Sequence, residues 1–331
     1  MKKLIPLAAA TALLLTACGN GNYTATQIPA KPSPSVAPAA TPAQENCKGI
    51  DALASFKPDG PLPDPTGPMP AGTWMETIKK RGRLIAGVSA DSYNLGYRDP
   101  ITGQIQGFDI DMIYAVADAI FGKPATGQPH KVELRVISSP ARIPSLRDTK
   151  NPVDIVARNM TINCARWEQI AFSAEYYRSG QKTLVQLDSK AETADDLSDQ
   201  TICAPAGSTS LDNLKKRNPK IKPITADTDT GCLVLFQQGK AQGISGDDTV
   251  LAGDVAQDPY AKVLKERFSE EPYGLGISLL HPEFVKFVNG VLEQIKVNGY
   301  WKASYDRWLE PALGKAPVPP TPLYGRPIPP Q

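Results

Sequence analysis

From Thr73 to Leu309, short apolar runs alternate with stretches whose apolar residues recur every three to four positions. That is the pattern of strands alternating with amphipathic helices. Thr73-Trp74-Met75-Glu76 fits a capping box opening a short helix that ends at Arg81-Gly82. Arg83–Val88 reads as a strand, followed by a loop carrying Asn94, Tyr97 and Arg98. Ile110, Ile113, Val116, Ala117 and Ile120 trace one face of a helix that stops at Gly122. A strand over Val132–Ile137 leads to a helix around Arg142–Leu146, then to the apolar run Val153, Ile155, Val156. Strand, helix, strand, helix, strand predicts a parallel α/β sheet.

A second α/β unit starts near Thr183. It comprises strands over Thr183–Leu187, over Thr201–Ala204, near Ile224 and one ending in Asp247-Asp248. Between them fall a turn or short helix at Ala194–Leu197 and helices over Leu211–Arg217, Thr230–Gln238 and Val250–Val255, with Ser208 or Thr209 as the N-cap of the first. A strand around Tyr273–Ile277 runs back toward the first unit. His281-Pro282-Glu283 opens a long amphipathic helix, with Phe284, Phe287, Val288, Val291, Leu292 and Ile295 on its apolar face. Trp301, Tyr305 and Trp308, at helical spacing in Tyr300–Leu309, are assigned to the core. Outside these units the periodicity disappears. The prolines of residues 19–72 and 311–331 predict an extended spacer and an unstructured or partner-binding polyproline tail.

Composition narrows the functional classes. The 331 residues carry a net charge of +2 with no long block of one sign, so no nucleic-acid footprint is visible. Two histidines, His130 and His281, are too few for most zinc sites, triads or imidazole acid–base chemistry. No metal or cofactor is expected. Residues 1–18 read as a targeting segment, with Lys2 and Lys3 ahead of an apolar run from Leu4 to Leu15. Leu15-Thr16-Ala17-Cys18 resembles the lipobox of bacterial lipoproteins. The resemblance implies cleavage before Cys18, acylation of its thiol and an extracytoplasmic body tethered to the membrane. Four cysteines remain, which in an exported chain suggests two disulfides. Cys203 on a strand and Cys232 on a helix of one small unit are favoured partners. Cys47, inside the spacer, is then matched with Cys164.

Residues 151–177 hold the most unusual local chemistry. A short buried strand breaks into small polar residues and restarts as a helix with Asn163 at the N-cap and Arg166 in the first turn. A cation there opposes the helix dipole, which suggests a bound anion. An arginine on a solvated face is the competing explanation. Ala206-Gly207-Ser208-Thr209-Ser210 forms a second strand-to-helix junction of the same kind.

Taken in order, GFDIDMIYAVADAI, VDIVARNMTINCARWEQIAFSAEYY, ICAPAGSTS, GDDT and NGYWKASYDRWL resemble the polar amino-acid-binding proteins of bacterial ABC importers, solute-binding family 3. With the lipobox and the Pro-rich arm, the chain is similar to the glutamine-binding-protein-like lipoproteins of actinobacteria. The resemblance implies a two-lobed, periplasmic-binding-protein-like α/β fold (type II), its lobes joined by two hinge strands. Lobe one would comprise residues 73–182 and 274–310, and lobe two residues 183–273. It implies a monomeric binding protein that hands an amino acid, or its signal, to a membrane permease or to a sensor upstream of a Ser/Thr kinase. The alternative is an enzyme on the same fold, such as a small-acid dehydratase.

The resemblance also assigns roles. Arg166 would clamp the ligand α-carboxylate, for which a planar guanidinium suits better than lysine, with Asn159 and Thr161 beside it. Asp247 would pair with the α-ammonium, while Asp248 is expected to be a helix cap. Tyr97 would pack on the ligand, and Gly207, Ser208 and Thr209 would receive its side chain. Pro205 stands where glutamine-binding members carry a lysine. Arg142 and Arg158 are the expected substitutes, and they favour aspartate or glutamate, with asparagine and glutamine close behind. Either arginine could instead lie at the surface or close the lobes as an ion pair.

Overall fold

The computed structural model describes residues 45–328. The targeting segment, Cys18 and the first part of the spacer lie outside the described residues. Two sheets organise the rest. In the first lobe, Leu84–Val88 lies between Val132–Val136 and Ile155–Ala157, parallel to both. Gly276–Ile277 joins antiparallel to Ile155–Ala157 and is followed by Ala171–Phe172. The central strand is buried along its whole length, as its unbroken apolar run requires in a sheet covered on both faces.

One of those covers is the helix Phe108–Phe121. It begins at Gly107, whose φ is 141° and where a Cβ would stand 2.3 Å from the Leu95 carbonyl oxygen. No residue with a side chain fits that approach. The helices Pro282–Val297 and Tyr300–Trp308 pack against it. Trp301 is fully buried, with its indole N–H donating to the Tyr176 carbonyl at 2.7 Å. Trp308 donates to Asp111. The C-terminal aromatics therefore belong to the core.

The second lobe is built on the order Lys222–Ala226, Thr201–Pro205, Gly243–Asp247, Tyr177–Gln186, Ala261–Val263. The first three strands are parallel and the remaining pairings antiparallel. Its strand Tyr177–Gln186 starts six residues earlier than the sequence pattern places it. The extra residues were hidden by their polarity: Ser179 and Gln181 face inward and are fully buried, held by hydrogen bonds. Ser269–Tyr273 returns antiparallel beside this segment, with Tyr177 opposite Tyr273 and Gln181 opposite Ser269. These two strands carry the chain between the lobes. Cys203 and Cys232 are joined within this lobe.

The Pro-rich ends differ from expectation. Residues 45–72 are not a bare spacer: Ala52, Ala54, Phe56 and Met69 are buried against the first lobe. Leu323–Tyr324 of the tail pairs in parallel with Ala54–Ser55. A run of prolines disfavours helix interiors and sheet ladders but not the docking of neighbouring apolar side chains. Two anchors hold the ends. Asn289, on the long C-terminal helix, donates to the Phe56 carbonyl and accepts from the Ala174 N–H. The Arg326 guanidinium lies 3.9 Å over the Trp167 ring, and Trp167 donates to the Ala52 carbonyl. Cys47 is joined to Cys164, at the start of the helix Cys164–Trp167 that carries Arg166.

Candidate functional site

The site is assembled where the two strand-to-helix junctions face each other across the hinge. Asn163 caps the helix Cys164–Trp167, its side chain accepting from the Arg166 N–H at 2.9 Å. The cap orients Arg166 inward. The guanidinium, 7% exposed, donates to the Thr161 carbonyl at 2.7 Å and to the Gly207 carbonyl at 3.4 Å. Gly207 belongs to the other lobe and sits at φ 66°. That left-handed turn points its carbonyl back across the cleft, where Arg142 also donates to it at 3.2 Å. Burial pushes the Arg166 pKa down, opposed by the nearby charges of Glu271 and then Asp247.

Asp247 occupies the N-cap position of the helix Asp248–Gln257. This corrects the expectation that Asp248 is the cap: Asp248 is the first helical residue and accepts from Ser179. The Asp247 carboxylate is buried, accepting from the Tyr273 hydroxyl at 2.7 Å and the Ser210 hydroxyl at 3.4 Å. Burial, and then the Glu271 charge, hold its carboxyl well above the usual range. An ammonium beside it would offset that penalty. Neither Arg166 nor Asp247 has an ion-pair partner among the described residues.

A residue that pattern reading missed lies between them. Glu271, 1% exposed, accepts from both the Thr161 and Thr209 hydroxyls at 2.7 Å, and from Asn213 at 2.9 Å and Ser269 at 2.6 Å. Thr161 and Thr209 come from opposite sides of the cleft, with their oxygens 3.2 Å apart. The available signal was strand alternation, which places Glu271 on the same face as Tyr273. Ser208 is the N-cap of the helix Thr209–Arg217, accepting from the Leu211 N–H at 3.1 Å.

The remaining sequence candidates separate. Asn159 sits at φ 36°, with its backbone N–H on Asp109 at 2.8 Å and its side-chain oxygen buried without a hydrogen-bond partner. Asp109 is raised to about 6 by burial, opposed by bonds from Asn159 and Tyr176. Arg142 lines the cleft, but its guanidinium is committed to the carbonyls of Ser139, Arg158, Asn159 and Gly207. Its pKa falls well below the ordinary value, through burial first and then the charges of Arg166 and Arg158.

Arg158 does not line the cleft. It is fully buried, donating to the Ile137 carbonyl at 3.0 Å and lying 3.6 Å from Asp229 and 3.8 Å from Asp91. Asp229 opens the second-lobe helix Asp229–Gln237, so this is a lobe-closing ion pair. Tyr97 also stays outside. It lies on the edge strand Gly96–Arg98, where its hydroxyl accepts from Gln106 and its ring packs on Tyr93 and Trp308.

Between the lobes is an enclosed cavity of about 20 Å³, lined by Ser139, Arg142, Asn159, Thr209, Asp229 and Asp247 among others. A larger recess of about 540 Å³ adjoins it, lined by Arg142, Met160, Arg166 and Gly207. The inner cavity has room for about one water molecule and none for an amino acid. An amino acid reaches Asp247 only when the lobes part. Among the described residues there is no group of three or more His, Cys, Asp or Glu side chains able to hold a metal. No helix there is long and apolar enough to cross a membrane.

The profile of the bacterial extracellular solute-binding proteins, family 3, matches residues 84–311. A glutamine-binding protein of Geobacillus stearothermophilus is 36% identical over 208 residues, 62% of this chain and 77% of that one. An ABC transporter glutamine-binding protein of Bacillus subtilis strain 168 is 26% identical over 237 residues, 71% of this chain and 84% of its own. Among solved structures, the ancestral amino acid-binding protein AncCDT-1, a precursor of cyclohexadienyl dehydratase, superimposes with a TM-score of 0.64. It shares 31% identity and covers 71% of this chain and 99% of its own.

Proposed function

The chain belongs to the bacterial extracellular solute-binding proteins, family 3, and from that premise we propose that it binds a polar amino acid, aspartate or glutamate or their amides, and presents it to a membrane partner. One observation carries the reading. A buried guanidinium, Arg166, and a buried carboxylate, Asp247, face a shared cleft from different lobes without ion-pair partners among the described residues. A zwitterion supplies both counter-charges at once. Arg166, with the Thr161 and Asn159 segment, takes the α-carboxylate, and Asp247 takes the α-ammonium. Gly207, Ser208 and Thr209 close over the side chain.

Binding is coupled to hinge motion. Only the closed form brings Arg166 and Asp247 onto one ligand, so the ligand shifts the population toward closure. The name of the Bacillus relative, an ABC transporter glutamine-binding protein, favours delivery to an ABC permease. A sensor upstream of a kinase would read the same closed surface. Acylation of Cys18 would tether the body to the membrane, and residues 45–72, pinned through Cys47–Cys164, would fix its orientation. Isothermal titration calorimetry of the full-length chain with aspartate, glutamate, asparagine and glutamine tests the reading. Saturable heat is expected with at least one, and silence with all four refutes it.

A further inference from the structure

Resting on the amino-acid-binding reading above, we propose that Cys164 and Trp167 are positioning residues for Arg166, and that the docked Pro-rich ends of the chain act through them as a brace for the carboxylate clamp. Arg166 sits on a single turn of helix, Cys164–Trp167. Isolated helices shorter than about a dozen residues are marginal in water, so this turn depends on what surrounds it. Within the first lobe, Asn163 caps it and Phe172 packs against the Trp167 ring at 5.5 Å. Further supports come from the two ends of the chain.

The turn is gripped on both sides of Arg166. Before it, Cys164 is joined to Cys47, and its backbone N–H donates to the Glu45 carboxylate at 3.3 Å. After it, the Trp167 indole N–H donates to the Ala52 carbonyl at 2.8 Å, and Phe56 meets the ring edge-on at 6.0 Å. From the tail, the Arg326 guanidinium lies 3.9 Å over the same ring and donates to the Ala54 and Asp51 carbonyls at 2.7 and 2.9 Å. Arg326 thus ties tail, arm and Trp167 together. Successive side chains leave a helix roughly 100° apart, so fixing Cys164 and Trp167 fixes the direction in which Arg166 points. The two-pronged grip of a guanidinium on a carboxylate depends on that direction. A long side chain held in place beforehand loses less rotamer freedom on binding, a difference of a few-fold up to about tenfold in Kd. Residues 45–56 and Arg326 lie outside 84–311, the span matched by the family profile, so the brace is an addition to it.

Two measurements on the full-length chain test the brace. One is the heteronuclear NOE of the Arg166 side-chain Nε–Hε signal, assigned by its loss in Arg166→Lys. The other is the calorimetric Kd for aspartate, glutamate, asparagine and glutamine. In the double variant Cys47→Ala with Cys164→Ala, the NOE of the ligand-free chain is expected to fall, and Kd to rise about fivefold for every ligand the wild type binds. A structural role alone would lower the unfolding midpoint and leave both the NOE and Kd unmoved. An unchanged NOE overturns the proposal whatever happens to Kd, because Arg166 is then held without the arm. A lowered NOE with unchanged Kd overturns it as well. Should the cysteine variant fail to fold, Arg326→Gln, which leaves the disulfide intact, is judged by the same two criteria. Silence of the wild type with all four ligands refutes the amino-acid reading instead, while the NOE still reports on the brace, so the two failures are distinguishable.

Discussion

Arg158 and Arg166 lie eight positions apart in one segment, both are buried, and they do opposite work. At the Arg158 end of the cleft the protein supplies its own counter-charges. Asp91 and Asp229 flank the guanidinium, the Ser92 hydroxyl donates to Asp229 at 2.5 Å, and Thr230 donates to the Asp91 carbonyl oxygen at 2.7 Å. This end is a latch between the lobes. At the Arg166 end the guanidinium meets only carbonyls, while carboxylates stand nearby without pairing to it. That end leaves a cation without a counter-charge, which is what the proposed ligand would supply. A buried arginine therefore signals binding only when the fold withholds its partner.

The comparison makes separable predictions. Arg166→Ala should produce the largest effect, a loss of about 4 kcal/mol in ligand binding by calorimetry, because it strips one side of a desolvated charge contact. Near-native affinity would erase the distinction between the two ends. Arg158→Met keeps bulk but leaves Asp91 and Asp229 without their cation. It should cost about 3 kcal/mol in urea unfolding, and small-angle scattering of the ligand-free chain should show a larger radius of gyration than wild type. An unchanged radius would mean that Arg158 does not hold the lobes together.

The smallest effect concerns Asp109, behind the latch, whose pKa is raised to about 6. A carboxyl whose folded pKa lies above its unfolded value contributes stability below the unfolded pKa and loses it as pH rises through the folded one. Wild type should therefore gain about 1 kcal/mol over Asp109→Asn between pH ~7 and ~5. Urea unfolding of both proteins at the two pH values measures this. An equal pH response in the two proteins would place the raised group elsewhere.

Local structure was legible wherever a residue's role depends on near neighbours. Thr73, Asn163 and Ser208 cap helices because a short oxygen-bearing side chain reaches the N–H three residues on. The apolar faces of Phe108–Phe121 and Pro282–Val297 follow from periodicity alone. Legibility failed where polarity concealed burial. The strand from Tyr177 was missed because Ser179 and Gln181 are satisfied by partners that sequence cannot show.

By itself the sequence determined the alternation of strands and helices, the two strand-to-helix junctions and the residue types available to hold a zwitterion. These depend on spacing and local hydrogen bonding, which act over a few residues. Only the tertiary structure decided that Arg158 meets Asp91 and Asp229 while Arg166 meets main-chain carbonyls alone. It also brought Glu271 between two threonines more than sixty residues away on the chain, at separations of 110 and 62. It docked the Pro-rich ends on the first lobe through Phe56, Asn289 and Arg326. The physical reason is common to all three. The value of a charge or an apolar side chain depends on what surrounds it, and those surroundings come from distant parts of the chain.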